Sequence, residues 1–192
     1  MKALACAVLL VVLAGCGSSV AAAPGPSASV AAPTPTVTET EWDIDPSFNA
    51  TDLAWIELMI PMDDQLLRVL DLAASAGSPA VRAFAGQVAA GHRAEVAQFN
   101  ALRTRSRLPV RNPHEGHDMP GMMTEPEIDA LGKLSGPAFD QDFGKNLKEH
   151  LQQTVILAQS IGTAGKNPEG KKLAQKIITG RAAQLKQLAA LG

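Results

Sequence analysis

The fold is decided by two similar stretches, SPAVRAFAGQVAAGHRAEVAQFNAL at residues 78–102 and NPEGKKLAQKIITGRAAQLKQLAAL at residues 167–191. Each begins with a polar residue followed by proline, which is typical of a helix N-cap and the first helical position. The second starts 89 residues after the first, and the matching positions downstream are Phe84 with Leu173, Val88 with Ile177, Gly91 with Gly180, Ala94 with Ala183, Val96 with Leu185, Gln98 with Gln187 and Leu102 with Leu191. The shared Gly, Ala and Gln positions favour a duplicated unit over two unrelated amphipathic helices.

The segments that precede these stretches also correspond, at an offset near 87 residues. A hydrophobic period near 3.6 begins at residue 48, as in amphipathic helices. The two equivalent stripes comprise Ile56, Ile60, Asp63, Leu67, Leu70 and Ala74, and then Phe143, Leu147, His150, Thr154, Leu157 and Ile161. The pattern predicts four main helices, at about residues 50–76, 79–105, 137–163 and 168–190. Pro61 should bend the first helix rather than break it, because the stripe continues across it.

The loop lengths predict how these helices are connected. Short loops join the first helix to the second and the third to the fourth, so each pair should form an antiparallel hairpin, while residues 106–136 cross between the pairs. Within this crossover, Thr124-Glu125-Pro126-Glu127 is a capping-box start for a short helix to about Leu134. We therefore predict an all-α four-helix bundle over residues 48–192, built from two helix-hairpin repeats, with the first and third helices diagonally opposed.

Composition excludes several classes of function. The chain has 192 residues, 46% hydrophobic and 19% charged, with a formal net charge of -2, so it lacks the basic excess of a protein that binds a nucleic-acid backbone. Aromatic residues make up 4% and tyrosine is absent, which argues against a base-stacking surface and weakly against a β-sandwich.

The N-terminus has the pattern of an export signal. Met1 and Lys2 precede an apolar run from Ala3 to Ala14, which is shorter than the roughly 20 residues of a membrane-spanning helix. The run ends Leu13-Ala14-Gly15-Cys16, which resembles the lipobox of bacterial lipoproteins. That resemblance implies a signal peptide over residues 1–15, a lipidated Cys16 and an extracytoplasmic protein anchored to the cell membrane. The alternative is an ordinary secretory signal with an incidental cysteine.

Residues 16–47 are predicted to be a tether. The segment after Cys16 is rich in Ala, Pro, Ser and Thr without apolar periodicity, a composition typical of disorder, and it spans roughly 30 Å as a coil. Trp42 and Ile44 either dock on the domain or are exposed. With Cys6 removed and Cys16 acylated, the folded domain has no thiol for a disulfide, a nucleophile or a metal site.

The crossover contains a possible soft-metal site. Five side chains of ligand type occur within ten residues, namely His114, His117, Met119, Met122 and Met123. Imidazole and thioether suit copper better than magnesium or calcium, with methionine favouring Cu(I). Glycine and proline at residues 116, 120 and 121 would let the backbone turn around an ion. The alternative is a surface loop that binds nothing.

Polar residues on the apolar stripes form a second candidate. Asp63 and His150 occupy equivalent positions in the two repeats, flanked by Met62, Asp64 and Glu149. A buried carboxylate beside an imidazole is either a metal site or, as we favour here, a pair that fixes helix register. His92 is interpreted as a residue at the boundary of its helix stripe.

An enzymatic function receives little support. Neither His92 nor His150 follows the Glu-x-x-His spacing of a ferritin-like di-iron site. The sequence has no G-x-S-x-G nucleophile setting and no glycine-rich phosphate loop. We expect a protein that is not an enzyme.

Three segments resemble a known family: WIELMIPMDDQ at residues 55–65, HDMPGMMTEPEIDAL at 117–131 and GPAFDQDF at 136–143. They are similar to the secreted bacterial family called domain of unknown function three hundred and five. The resemblance implies a ferritin-like four-helix bundle, and some members are linked to copper handling. The second repeat, through LSGPAFDQDF and NPEGKKLAQK, is also similar to another ferritin-like family of unknown function.

The chain departs from that family at its histidine pairs. The family has Met-Ile-Pro-His-His-Gln in the first repeat, whereas this chain has Met62-Asp63 after Pro61, and Glu149-His150 replaces the second pair. The crossover is therefore the better ligand candidate. The sequence predicts a lipid-anchored protein that binds copper for buffering or delivery, with no nucleic-acid partner and no identified protein partner. The alternative is a structural or protein-interaction lipoprotein that has lost the family's metal site.

Overall fold

A computed structural model describes residues 43–191, which fold into five α-helices and contain no β-strand. The helices are α1 (Ala50–Ala76), α2 (Pro79–Ser106), α3 (Glu125–Leu131), α4 (Gly136–Ala164) and α5 (Pro168–Leu188). The four long helices agree with the predicted ones to within two residues at each end, and α3 is the predicted short helix of the crossover. The all-α bundle of two helix hairpins is confirmed.

The helices begin where the sequence provides caps. The Ser78 hydroxyl accepts a hydrogen bond from the Val81 backbone N–H, and the Asn167 side chain accepts from the N–H groups of Glu169 and Gly170. These bonds satisfy backbone donors that a helix start leaves free. α1 continues through Pro61 without a break, as expected from its uninterrupted apolar stripe.

The predicted diagonal placement of the first and third helices is wrong, because α1 packs directly against α4 and α2 against α5. The Asn49 side chain donates to the Ala164 carbonyl oxygen, and the Ser78 N–H donates to the Asp140 carboxylate. The start of α1 therefore meets the end of α4, and the two helices are antiparallel neighbours. The reason is the crossover, which runs beside α1 from Glu57 to Arg68 and so leads the chain to the opposite end of the bundle before α4 begins.

The core consists of two apolar clusters with polar residues between them. One contains Phe84, Phe139 and Phe143, and the other contains Trp55 and Phe99, whose rings are 4.7 Å apart. Between them, buried polar residues interrupt the stripes of all four long helices: Asp63, His92, Glu95, His150, Thr154 and Arg181. These six residues are called the polar layer below.

Residues 43–47, at the end of the predicted tether, pack against the bundle. The Asp45 N–H donates to the Ser106 carbonyl oxygen, and Ile44 is half-buried against the Trp55 cluster. Trp42, the predicted signal peptide, Cys16 and the rest of the tether lie outside the described residues. Within residues 43–191, no helix is both long and apolar enough to cross a membrane.

Candidate metal centre

Three ligand-type side chains meet inside the bundle. Asp63 comes from α1, His92 from α2 and His150 from α4, and each is at least 98% buried. One ligand atom from each lies within 4.8 Å of the others. These three residues form the core centre, a set of one carboxylate and two imidazoles that three different helices supply.

The facing atoms of the core centre have no hydrogen-bond partner among the described residues. Asp63 Oδ1 lies 3.6 Å from Nε2 of His150 and 3.8 Å from Nε2 of His92, beyond hydrogen-bonding distance. Both carboxylate oxygens and both Nε2 atoms are buried without a partner. Because unpaired buried polar atoms are costly and rare, four at one point indicate a ligand site.

The histidine rings are oriented by backbone carbonyls. Nδ1 of His92 lies 2.9 Å from the Val88 carbonyl oxygen, and Nδ1 of His150 lies 3.1 Å from that of Gly121. A carbonyl oxygen only accepts, so Nδ1 carries the proton, and Nε2 of a neutral ring has a free lone pair. Such outer bonds commonly hold metal-binding histidines in position. Here they direct both lone pairs towards Asp63.

A cation and a second carboxylate complete the polar layer. Arg181 Nη2 donates to Glu95 Oε1 at 2.7 Å and lies 3.7 Å from Asp63 Oδ1, while Nε donates to the Thr154 hydroxyl at 3.2 Å. The Arg181–Glu95 pair is a buried, charge-assisted hydrogen bond of the strong type.

Burial shifts the pKa values of the ionisable groups in the polar layer. Desolvation raises the pKa of Asp63 to about 7 and that of Glu95 to about 8, against the opposing influence of Arg181. Desolvation and the nearby Arg181 charge lower the pKa of His150 to about 3 and that of His92 well below its usual value. Both imidazoles are therefore neutral at pH 7, as metal ligation requires.

The structure brings together the predicted pair Asp63 and His150, and it adds a residue that the sequence analysis misjudged. His92 is a fully buried member of the core centre, not a boundary residue. The spacing Val88, His92, Glu95, Phe99 continues the helical stripe and contains the signal that was missed. The sequence analysis also did not identify Glu95 and Arg181, which continue the stripes of α2 and α5.

The crossover residues line a separate surface pocket of about 660 Å³. His114, His117, Met122 and Met123 all contribute to its wall, whereas Met119 is half-buried outside it. Met123 is buried in the core, His114 and Met122 are half-buried, and His117 is exposed. Four of the five predicted crossover ligands therefore share one pocket.

The crossover is fastened to the helices beside the core centre. The Met123 N–H donates to the Gln65 side chain at 2.7 Å, and the Gly121 N–H donates to Glu149 at 3.3 Å. Gly121 has φ +79°, and a Cβ there would lie 2.7 Å from Cβ of Gln153. Only glycine fits this position without strain, so the contact that supplies the carbonyl to His150 depends on it.

Comparisons with known proteins are consistent with this architecture. The family model described as Domain of unknown function (DUF305) matches residues 52–191. A DUF305 fragment from Deinococcus radiodurans has a TM-score of 0.68 at 19% identity, covering 76% of this chain and 97% of that one. A secreted DUF305 protein from Streptomyces coelicolor has a TM-score of 0.66 at 21% identity, with coverage of 73% and 91%. CopM in the Cu(II)-bound form has a TM-score of 0.62 at 26% identity, with coverage of 73% and 94%. No curated protein sequence matches the chain.

Proposed function

This chain belongs to the DUF305 family, and from that premise we propose that it binds a soft metal ion, copper first, outside the cytoplasm and buffers or delivers it. The observation that carries the proposal is the core centre. There, the two carboxylate oxygens of Asp63 and the Nε2 atoms of His92 and His150 are buried without a hydrogen-bond partner, and each can act as a metal ligand. A bound ion would satisfy these atoms and recover the cost of their burial.

The donor set supports a late transition metal as cargo. Imidazole suits copper and zinc, whereas magnesium and calcium prefer sites built from oxygen ligands. The similar protein CopM has been solved in Cu(I)-bound, Cu(II)-bound and Ag-bound forms. The methionines that line the crossover pocket add thioethers, which favour Cu(I). Copper is therefore our first choice.

Storage or delivery is favoured over catalysis by the burial of the core centre. Its three residues are no more than 2% exposed, so an organic substrate has no access to them from the surface. We propose that the crossover pocket acquires the ion at the surface, through His114, His117 and Met122, and that Met119 and Met123 belong to the same ligand set. Lipidation of Cys16 would keep the protein at the outer face of the cell membrane.

A second candidate function follows from Arg181. Its guanidinium already lies 3.7 Å from Asp63, so the polar layer contains a cation without any metal. This supports the alternative of a structural or protein-interaction lipoprotein that has lost the family's metal site. The two candidates differ in whether the core centre takes up an ion.

A copper titration separates them. The parent for this test is the chain with Cys6→Ser and Cys16→Ser, which has no thiol to bind Cu(I) on its own. The crossover variant adds five substitutions to this parent: His114→Gln, His117→Gln, Met119→Leu, Met122→Leu and Met123→Leu. Any metal that it binds is therefore held by the core centre. Retention of one Cu(I) per chain against a competing chelator supports metal binding by the core. Loss of all binding in both proteins would favour the structural alternative.

A further inference from the structure

Asp63 and the three side chains that lie within 4 Å of its Oδ1 atom occupy positions related by the internal duplication. These three are His92, His150 and Arg181. Asp63 and His150 are separated by 87 residues and are equivalent in the two repeats. His92 and Arg181 are separated by 89 residues, the offset that relates α2 to α5, so they too are equivalent. Each long helix thus contributes one side chain, and Arg181 occupies the place where symmetry would provide a second α2-type ligand.

Arg181 is held firmly at that place. It is 3% exposed, and its Nη2 lies 3.7 Å from Asp63 Oδ1, the atom that also faces both imidazoles. Thr154 accepts from its Nε, and Glu95 accepts from its Nη2. Arginine cannot act as a metal ligand and remains charged at all accessible pH values. Its position therefore leaves the centre with three ligands and a fixed positive charge.

The fixed charge decides which ion the centre can neutralise. Arg181 and Glu95 form an ion pair at 2.7 Å whose charges cancel, and a ligating carboxyl group is ionised while ligating imidazoles are neutral, so Asp63 gives the layer a net charge of -1 when it holds an ion. A monovalent ion brings this sum to zero, whereas a divalent ion leaves an excess positive charge in a buried site. Uncompensated buried charge is strongly unfavourable.

We infer that Arg181 stands in the fourth ligand position of the core centre and makes the centre selective for a monovalent soft cation over divalent ions. This inference rests on the proposed function and deepens it, because it names the oxidation state of the cargo. It predicts that Cu(I) and Ag(I), and not Cu(II), Co(II) or Zn(II), are the ions held in the core.

The test uses the crossover variant, with Ag(I) as the monovalent probe and Co(II) as the divalent probe, at one pH for all variants. Arg181→Gln changes the net charge of the layer to -2 and should lower the ratio of Ag(I) to Co(II) affinity at least about tenfold, as expected for one charge at about 5 Å. Adding Glu95→Gln returns the sum to -1 and should restore the ratio. Arg93→Gln, at an exposed arginine of α2, is the control and should leave the ratio unchanged.

A third variant tests the ligand position. Arg181→His should give a Co(II) complex with the intense visible bands of tetrahedral coordination, which the protein with Arg181 lacks. If the Arg181→Gln variant folds, as verified by circular dichroism, and keeps the affinity ratio of the starting protein, the inference is overturned while copper binding stays intact. If the starting protein retains no Ag(I), metal binding by the core centre, on which the proposed function rests, fails instead. If Arg181→Gln does not fold, the Arg181→His variant keeps the inference testable, because it also removes the fixed charge and its Co(II) spectrum reports whether residue 181 reaches the ligand position.

Discussion

Asp63 Oδ1 and His150 Nε2 face each other at 3.6 Å across the contact between α1 and α4, and neither atom has a hydrogen-bond partner among the described residues. This separation is longer than the hydrogen bond expected of a register-fixing pair, and it supports our proposal that the two groups are metal ligands, with His92 as the third.

The first prediction is that each ligand of the core centre is required for metal binding. In the crossover variant, Asp63→Asn or His92→Gln should lower Ag(I) affinity by more than about 100-fold, since loss of an outer partner alone costs about 10–100-fold. Isothermal titration measures the change. Arg93→Gln in the crossover variant changes an exposed side chain of α2 and is the control, which should leave Ag(I) affinity unaltered.

The second prediction concerns pH and the metal-free protein. Asp63 and Glu95 have raised pKa values of about 7 and about 8, so the folded state holds protons that the unfolded state has released, and stability falls as pH rises towards 8. His92 and His150 have lowered pKa values, so the unfolded state binds protons that the folded state does not, and stability falls as pH drops below about 6.5. Between about pH 4 and 6.5 the two contributions oppose each other.

Stability should therefore change little between about pH 5 and 6 and decline from there to pH 8.5, measured as the urea midpoint with a metal chelator present. The groups that face one another in this layer are the two carboxyls, the two imidazoles, the Arg181 guanidinium and the Thr154 hydroxyl. Replacement of Asp63 by asparagine removes one titrating carboxyl and should flatten the alkaline side. A midpoint that rises steadily from pH 6.5 to 8.5 would contradict the assignment.

The third prediction tests the attachment of the crossover. Gly121→Ala places a Cβ 2.7 Å from Gln153 at a backbone with φ +79°, and it should destabilise the fold by about 1–3 kcal/mol. Displacement of the Gly121 carbonyl also loosens His150, so Ag(I) affinity of the core should fall. Gly116→Ala is the matched control, because Gly116 has φ +74° but no atom within 4 Å of the new Cβ. Equal loss of affinity in both variants would show that the Gly121 contact is not needed.

The sequence predicted the helices well because their information is local. Three of the helix starts are each marked by a capping residue within a few positions, at Ser78, Thr124 and Asn167. The hydrophobic period of 3.6 residues is likewise a property of one continuous segment. The packing of α1 against α4 was not predictable in this way, since it depends on the path of the crossover along the bundle. His92 was interpreted as a boundary residue and Arg181 was not identified, although the repeat offset pairs them as it pairs Asp63 with His150.

The fourth prediction concerns the crossover methionines. Replacement of Met119, Met122 and Met123 by leucine in the thiol-free parent keeps apolar bulk and removes the thioethers that favour Cu(I). Cu(I) stoichiometry should fall to the ion held by the core centre, and the thermal midpoint should change little because the substitutions conserve volume. Equilibrium dialysis with a Cu(I) chelator measures the number of ions retained. An unchanged stoichiometry would show that the crossover pocket holds no copper.

The last prediction concerns the membrane anchor, for which the support is the Leu13-Ala14-Gly15-Cys16 sequence that ends the apolar run. Lipidation requires the Cys16 thiol, so Cys16→Ser should move the protein from the membrane fraction to the soluble extracytoplasmic fraction. Cys6→Ser is the matched control, because Cys6 lies within the segment that cleavage would remove, and this variant should stay in the membrane fraction. Because the lipid on Cys16 is the membrane anchor that the lipobox resemblance implies, its loss should make the change close to complete in a detergent-partitioning assay. Equal partitioning of the Cys16→Ser variant and its control into detergent would show that another segment anchors the chain.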